Sequence, residues 1–305
     1  MLKLLPVFLL ICLSFGGKAQ INMVVKEGGF LLMDGKDSLF FYQKSPKDME
    51  GKYSRCNYIH PLYGADNSRL TEDFPADHLH HRGIFWAWHQ ILIDNKFIAD
   101  GWELKNFQQK VTDIEFRLQK GIGYLNVTAD WISPLWMEGS APYLQEETAV
   151  TIYPKVGNYR RLDFEIKLNS LTDHLSIGGS DDEKGYSGFS IRLKLPEDVS
   201  FLGESGLVEP MNAAISAGNS MKIYGSFLKD GKKGGVAILS NPQNPAPSGS
   251  WIIRKKASMQ NVAYPGRKPV VIPVDRPLVL KYSLLVFQGE LSDKQIKKVV
   301  NSINH

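Results

Sequence analysis

The stretch Arg161 to Leu168, RLDFEIKL, alternates without a break: Leu162, Phe164, Ile166 and Leu168 are apolar, and Arg161, Asp163, Glu165 and Lys167 are charged. Successive side chains on a β-strand point to opposite faces, so this pattern makes one dry face and one wet face. Antiparallel sheets accept that division because a single face is enough to meet a core. The same period recurs at Ile114, Phe116 and Leu118 against Asp113, Glu115 and Arg117, and again at Leu125, Val127, Ala129 and Trp131. Further strand-like runs are Phe30 to Met33, Leu39 to Gln43, Ile84 to Asp94, Thr148 to Tyr153, Phe189 to Leu195, Met221 to Leu228, Gly235 to Leu239 and Leu278 to Phe287. Turn pairs such as Lys120-Gly121, Gly157-Asn158 and Asp230-Gly231 punctuate them. Many strands with almost no helical periodicity predict an all-β chain of antiparallel sandwich or barrel architecture, and a large antiparallel β-sandwich is the expected form. One helix is expected, and it closes the sequence. Ser292 and Gln295 have capping-box spacing, Leu291 and Ile296 form a hydrophobic staple, and Ile296, Val299, Val300 and Ile303 make an apolar stripe.

The amino terminus reads as a secretory signal peptide over residues 1–19. Lys3 supplies the positive end, Leu4 to Phe15 the apolar run, and Gly16 to Ala19 the small residues before a cleavage point. The run is too short to span a bilayer and nothing like it recurs, so the expected mature protein, residues 20–305, is one β-sandwich domain, periplasmic or secreted, and not an integral membrane protein. Cleavage removes Cys12 and leaves Cys56 alone, so stability has to come from a core and not from disulfides. The formal charge of +4 falls to +2 without Lys3 and Lys18, that is, 34 basic against 32 acidic residues. With no run of Lys or Arg to follow a phosphate backbone, the chain gives no nucleic-acid signal.

Function concentrates in Asp77 to His89, DHLHHRGIFWAWH, which holds four of the seven histidines, an arginine and two tryptophans. Imidazole titrates near neutral pH and ligates metals, and a tryptophan face suits a sugar ring. On an extended strand His78, His80, Arg82, Trp86 and Trp88 would share one side, and His81 and His89 the other. The block therefore offers His80 and His81 as acid/base groups, and His78, Arg82, Trp86, Trp88 and Asp77 as substrate contacts. His78 and His80, as an H-x-H pair, are the candidate ligands of a divalent metal ion. Glu146 and Glu147 are the candidate partner carboxylates. The strand phase puts Glu146 with Thr148, Val150 and Ile152, where desolvation would raise its pKa towards that of a general acid. Trp131, Trp136 and Tyr143 add aromatic surface nearby.

Four blocks, His60 to Ile91, Asp182 to Leu193, Gly234 to Pro245 and Leu280 to Glu290, resemble the exported bacterial family labelled methane oxygenase PmoA-like, whose function is unknown. That resemblance carries over no catalytic residues. A membrane methane oxygenase subunit would need several transmembrane helices, and none follows the leader. The order His60-Pro61-Leu62-Tyr63-Gly64, then His80-His81-Arg82-Gly83, is also similar to galactose mutarotase-like (aldose epimerase) supersandwich proteins. This second likeness implies a sugar site in a concave sheet face, adds His60 and Tyr63 to the substrate contacts, and makes His174 the counterpart of a second histidine.

The expected function is thus an exported carbohydrate-active protein with a saccharide ligand, acting as a hydrolase, lyase or epimerase. The alternatives are a non-catalytic carbohydrate-binding protein and a metal-dependent oxidative enzyme. Amino-terminal sequencing of protein recovered from its native host is expected to begin at or within a residue or two of Gln20. A chain that keeps Met1 would refute export by this leader.

Overall fold

Strands that alternate as strictly as RLDFEIKL need a second dry surface to close on, and the chain supplies it as another sheet. The computed structural model describes residues 20–246, 249–257 and 259–303, so the predicted leader lies outside the described residues. Four long strands, Gln108–Gln119, Ile122–Ile132, Leu144–Ile152 and Tyr159–Ser170, pair in sequence order as one half of a nine-stranded sheet. Leu278–Gln288, Gly234–Ser240, Ser220–Gly225, Ser200–Gly203 and Gly206–Leu207 complete it. The second nine-stranded sheet has the order Ile21–Lys26, Gly29–Asp34, Asp37–Gln43, Tyr58–Leu62, Ile84–Trp88, Ser187–Ile191, Gln260–Val262, Ser250–Ile252 and Ile215–Ser216. All the pairings in both sheets are antiparallel, as the alternation predicts. A four-stranded sheet, Val270–Val271, Leu175–Gly178, Gln90–Ile93 and Lys96–Ala99, flanks them. Among the described residues no helix is long and apolar enough to cross a membrane.

The inward residues of the two large sheets form one apolar cluster. Leu162, Phe164, Ile166 and Leu168 of the first meet Ile84, Trp86, Trp88, Phe189 and Ile191 of the second. The contact is direct: the Phe164 ring lies 5.2 Å from Phe189 and 6.5 Å from Trp86, centroid to centroid, and Phe189 stacks on Tyr282 at 4.8 Å. Each such side chain contributes about 1.5–3 kcal/mol by leaving water. The terminal helix, Asp293–Ile303, packs on the opposite face of the first sheet, where Ile296, Val299 and Val300 meet Ala237, Leu239, Leu285 and Phe287. Its capping box is formed, with the Gln295 amide N–H donating to Ser292 Oγ (3.3 Å) and the Ser292 N–H to Gln295 Oε1 (3.0 Å).

One carboxyl sits inside this core. Glu146 is 1 % exposed, and its oxygens accept from Asn57 Nδ2 (2.7 Å), Thr148 Oγ1 (2.8 Å) and Trp131 Nε1 (2.9 Å). Burial pushes its pKa up, as the sequence predicts, while these donors pull it back. The Cys56 thiol donates to the Gln109 carbonyl nearby, and burial pushes it up to about 11, which leaves an unreactive thiol. Glu146→Ala strands three donors in an apolar interior and is expected to lower unfolding free energy by about 2–4 kcal/mol. Glu146→Gln keeps the shape and is expected to cost less than half as much. Urea denaturation of both variants checks this, and equal losses would show that acceptance by both carboxyl oxygens, not shape, sets the cost.

Candidate functional site

The histidine block is not extended strand. Residues 76–82 fold into consecutive turns, with the His78 N–H donating to the Pro75 carbonyl (3.0 Å) and the His81 N–H to the His78 carbonyl (2.9 Å). The strand starts only at Ile84. Gly83 makes the join possible: a Cβ there would lie 2.1 Å from the Ile59 carbonyl oxygen of the neighbouring strand. The predicted run Ile84 to Asp94 breaks at His89, where the chain leaves the second sheet and enters the four-stranded one as Gln90–Ile93. That corner brings His89 back beside the turn.

The result is an open cavity of about 440 Å³ on the outer face of the second sheet, lined by His78, His80, His81, His89, Trp102, Glu103, Ser180, Asp181, Asp182, Lys184 and Tyr186. Three imidazoles are packed together. His78 and His81 stack at 4.6 Å and 5°, and His80 stands edge-on to both, at 5.7 Å from His78 and 4.6 Å from His81. His89 stacks on Trp102 at 5.4 Å. Two of the histidines are backed by carboxylates: His78 Nδ1 lies 2.7 Å from Asp77 Oδ2, and His89 Nδ1 2.9 Å from Asp100 Oδ2. The other Asp100 oxygen accepts from the Trp102 and Glu103 N–H groups (both 2.8 Å), a local turn that fixes the Trp102 wall.

Electrostatics keeps the centre of the cluster uncharged. Burial, then the neighbouring His78, holds the His80 pKa at about 4. Burial and the adjacent His80, His78 and Arg192 push His81 down further. Asp77 and Asp182 move the opposite way from a buried acid. Burial works against their ionisation, but hydrogen bonds from His78 and Arg192 to the one, and from Ser180, Gly185 and Lys184 to the other, hold both carboxyls below their ordinary range. At neutral pH the cavity therefore holds proton-accepting imidazoles beside ionised carboxylates.

Several expected contacts are elsewhere. Trp86 and Trp88 are 3 % and 0 % exposed, and both belong to the core between the sheets, so they cannot face a ligand with the histidines. Ile84 to Trp88 is apolar at every position, which gives period-two reading no wet face to choose. Phe85 and Ala87 are the side chains turned outwards, under Trp102 and Tyr186. Arg82 is fully buried and donates to the Leu79 (2.6 Å), His81 (2.9 Å) and Tyr53 carbonyls, with its guanidinium 3.6 Å from the Phe74 ring centroid and paired to Asp73 at 3.4 Å. It ties the turn together and has no free edge for a substrate.

The remaining candidates divide the same way. Glu146 is in the sandwich interior, and Glu147 is exposed on the other sheet, bonded to Asn169 (3.2 Å). Neither reaches the histidines. His60 bonds Thr71 (3.0 Å), Tyr63 lines a separate small cavity, and His174 sits exposed in a turn. Trp131 and Tyr143 are core residues, and Trp136 packs against the core. Among the described residues no three His, Cys, Asp or Glu side chains group closely enough to hold a metal ion, so the His78/His80 pair lacks the third donor a metal site requires.

The site also has members that the sequence does not single out. Trp102, Asp100 and Glu103 follow the block by about ten residues, and the Ser180 to Tyr186 loop arrives from far along the chain. Arg192, 3 % exposed just beyond the strand Ser187–Ile191, binds Asp77, Glu72 and His81 together. Its local sequence, Ser-Ile-Arg-Leu-Lys, looks like any strand end, and only the pairing of Ser187–Ile191 with Ile84–Trp88 puts it beside the histidine turn.

A family model described as a family of unknown function, DUF6807, matches residues 31–301, and the chain belongs to that family. No curated protein matches the chain.

The arrangement separates stability from chemistry. Arg82→Ala leaves Asp73 Oδ1 and the Leu79, His81 and Tyr53 carbonyls without their partner and is expected to cost more than about 2 kcal/mol of unfolding free energy. His80→Ala, which removes a side chain with no such bonds, is expected to cost less than about 1 kcal/mol. Thermal and urea denaturation of the two variants measures both, and the reverse ranking would overturn these roles.

Proposed function

We propose that this member of a family without an assigned activity binds a hydroxyl-rich small molecule, a saccharide or sugar derivative, in the histidine cavity and acts on it by general acid/base catalysis. The observation that carries the reading is the convergence of His78, His80, His81 and His89 on one polar cavity, two of them with carboxylates behind Nδ1. A carboxylate that accepts the Nδ1 proton leaves Nε2 bare in the neutral ring and stabilises the imidazolium formed when Nε2 takes a proton. His78 and His89 are thus the bases, able to accept a hydroxyl or C–H proton of the ligand and to return it. The low pKa of His80 keeps its ring neutral at neutral pH, where it offers one N–H donor and one lone-pair acceptor and is too weak a base to take a proton. Asp181, Asp182, Glu103 and Lys184 supply charged hydrogen-bonding groups around the rim.

Reaction class follows from this inventory only as far as proton transfer: hydrolysis, elimination and epimerisation all need it. A non-catalytic lectin-like role is the alternative, supported by the openness of the cavity. The predicted leader places either activity outside the cytoplasm, in the periplasm or medium.

Titration calorimetry against a panel of neutral sugars, sugar acids and keto sugars is expected to find a ligand whose binding or turnover falls tenfold or more in His78→Ala and His89→Ala. His80 accepts its proton at about 4, so its own contribution to binding, read as the difference between wild type and His80→Ala, is expected to hold level from neutral pH to about pH 5. It should then drop as the pH passes through the His80 pKa and protonation removes the acceptor. Binding that survives both His78→Ala and His89→Ala would place the ligand elsewhere and refute the reading.

A further inference from the structure

Arg192 reaches the cavity only through other residues, and its contacts determine which nitrogen of each stacked histidine carries the proton. Its Nη2 donates to both oxygens of Asp77 (2.7 and 2.9 Å), its Nε to Glu72 Oε2 (2.9 Å), and its Nη1 to His81 Nδ1 (3.2 Å). A guanidinium has no acceptor, so the His81 Nδ1 must present its lone pair, and the single proton of the neutral ring is on Nε2. Asp77, fixed by Arg192, turns Oδ2 to His78 Nδ1 at 2.7 Å. A carboxylate has no proton to give, so here Nδ1 carries the hydrogen, and in the neutral ring Nε2 is bare. The two rings stack at 4.6 Å and 5°. One arginine therefore leaves two adjacent, parallel rings with opposite polarity at their remaining nitrogens.

We infer that Arg192 is a positioning residue that locks His78 as an acceptor and His81 as a donor at Nε2, so that the pair selects ligands carrying a hydroxyl next to a second oxygen. A vicinal diol or an α-hydroxy carbonyl matches this pair: its hydroxyl donates to His78 while the neighbouring oxygen accepts from His81. The inference rests on the acid/base reading of the cavity and narrows it to a substrate class. A carboxylate alone satisfies only the His81 half of the pair, and a lone hydroxyl meets both halves only by bridging the two rings with its single oxygen, whereas a vicinal pair gives each nitrogen its own partner. Charge also plays a part, because the permanent cation of Arg192 beside His81 opposes protonation of that ring and preserves its donor–acceptor polarity.

The experiment is long-range ¹H–¹⁵N correlation of the imidazoles in the histidine-labelled full chain at pH 7, followed by titration with a methyl pyranoside and its monodeoxy analogues. Wild type is expected to show His78 protonated at Nδ1 and His81 at Nε2. In Asp77→Asn the amide oxygen stays with Arg192 and the NH₂ turns to His78, so the His78 proton is expected to move to Nε2 while His81 is unchanged. Arg192→Gln is expected to give mixed His81 tautomers, and Arg192→Lys, which restores one donor, to rescue His81 in part. If Arg192→Gln does not fold, the wild-type and Asp77→Asn spectra still decide. A His81 protonated at Nδ1 in wild type would overturn the inference regardless of what binds. Where the tautomers are as stated, removal of one hydroxyl of a vicinal pair is expected to weaken binding tenfold or more in wild type and less than threefold in Asp77→Asn. An equal penalty in both proteins would overturn the selectivity, whereas locked tautomers with no pyranoside or keto sugar bound would leave the positioning role standing and remove the saccharide reading.

Discussion

Everything in the molecule is referred to the dry layer between the two nine-stranded sheets. Phe164, Trp86, Phe189 and Tyr282 touch across it, and burial of such rings supplies the largest favourable contribution to described residues whose one cysteine, Cys56, is free. This layer also fixes where chemistry can occur. Ile84–Trp88 is held on both faces, by the main core inside and by Tyr58, Trp102 and Met259 outside, so the turn that precedes it and the corner that follows it are pinned at both ends of a five-residue strand. The histidines lie on those two flanks, and a cavity built on such anchors has its geometry fixed from both ends of the strand.

Charge burial follows a consistent rule across the fold. Arg82 and Arg192 are both nearly inaccessible, yet each has oxygen partners on most of its nitrogens. Burial of a cation is costly, and only that saturation makes it tolerable. The two arginines sit on either side of the same turn and do different work. Arg82 binds main-chain carbonyls and sets the turn's shape, whereas Arg192 binds side chains and sets their polarity. His80 and His81 avoid the cost by staying neutral.

The sandwich and its outer helix were legible because their signals are local. Alternation at 161–168, the Ser292/Gln295 cap and the stripe through Val299 each report on a single element. The site was legible in part. His78, His80 and His81 do converge, and composition alone marks them. The misplacements of Trp86, Trp88 and Arg82 share one cause, the reading of 78–88 as a continuous strand. A run such as IFWAW is apolar in both phases, so alternation cannot show that Trp86 and Trp88 point inwards, and the short turns that break up DHLHHR leave no periodic trace. Glu146 shows the limit of the opposite kind. Its phase and its raised pKa follow from the sequence, yet a buried carboxyl with a shifted pKa is equally the mark of a structural network, and only its partners Asn57, Thr148 and Trp131 separate the two.

Arg192 was out of reach of any sequence argument, and the reason is general. Its role depends on strand Ser187–Ile191 pairing with Ile84–Trp88, two segments about a hundred residues apart. That one register places its guanidinium within reach of Asp77, Glu72 and His81 at once. A slip of one residue would turn the side chain to the other face of the sheet, into the core, where no acceptor waits and the ion would be driven out. The apolar core, by selecting the register that buries Phe189 and Ile191, therefore also selects the polarity of the two histidines. Packing on one face of the sheet sets the chemistry on the other.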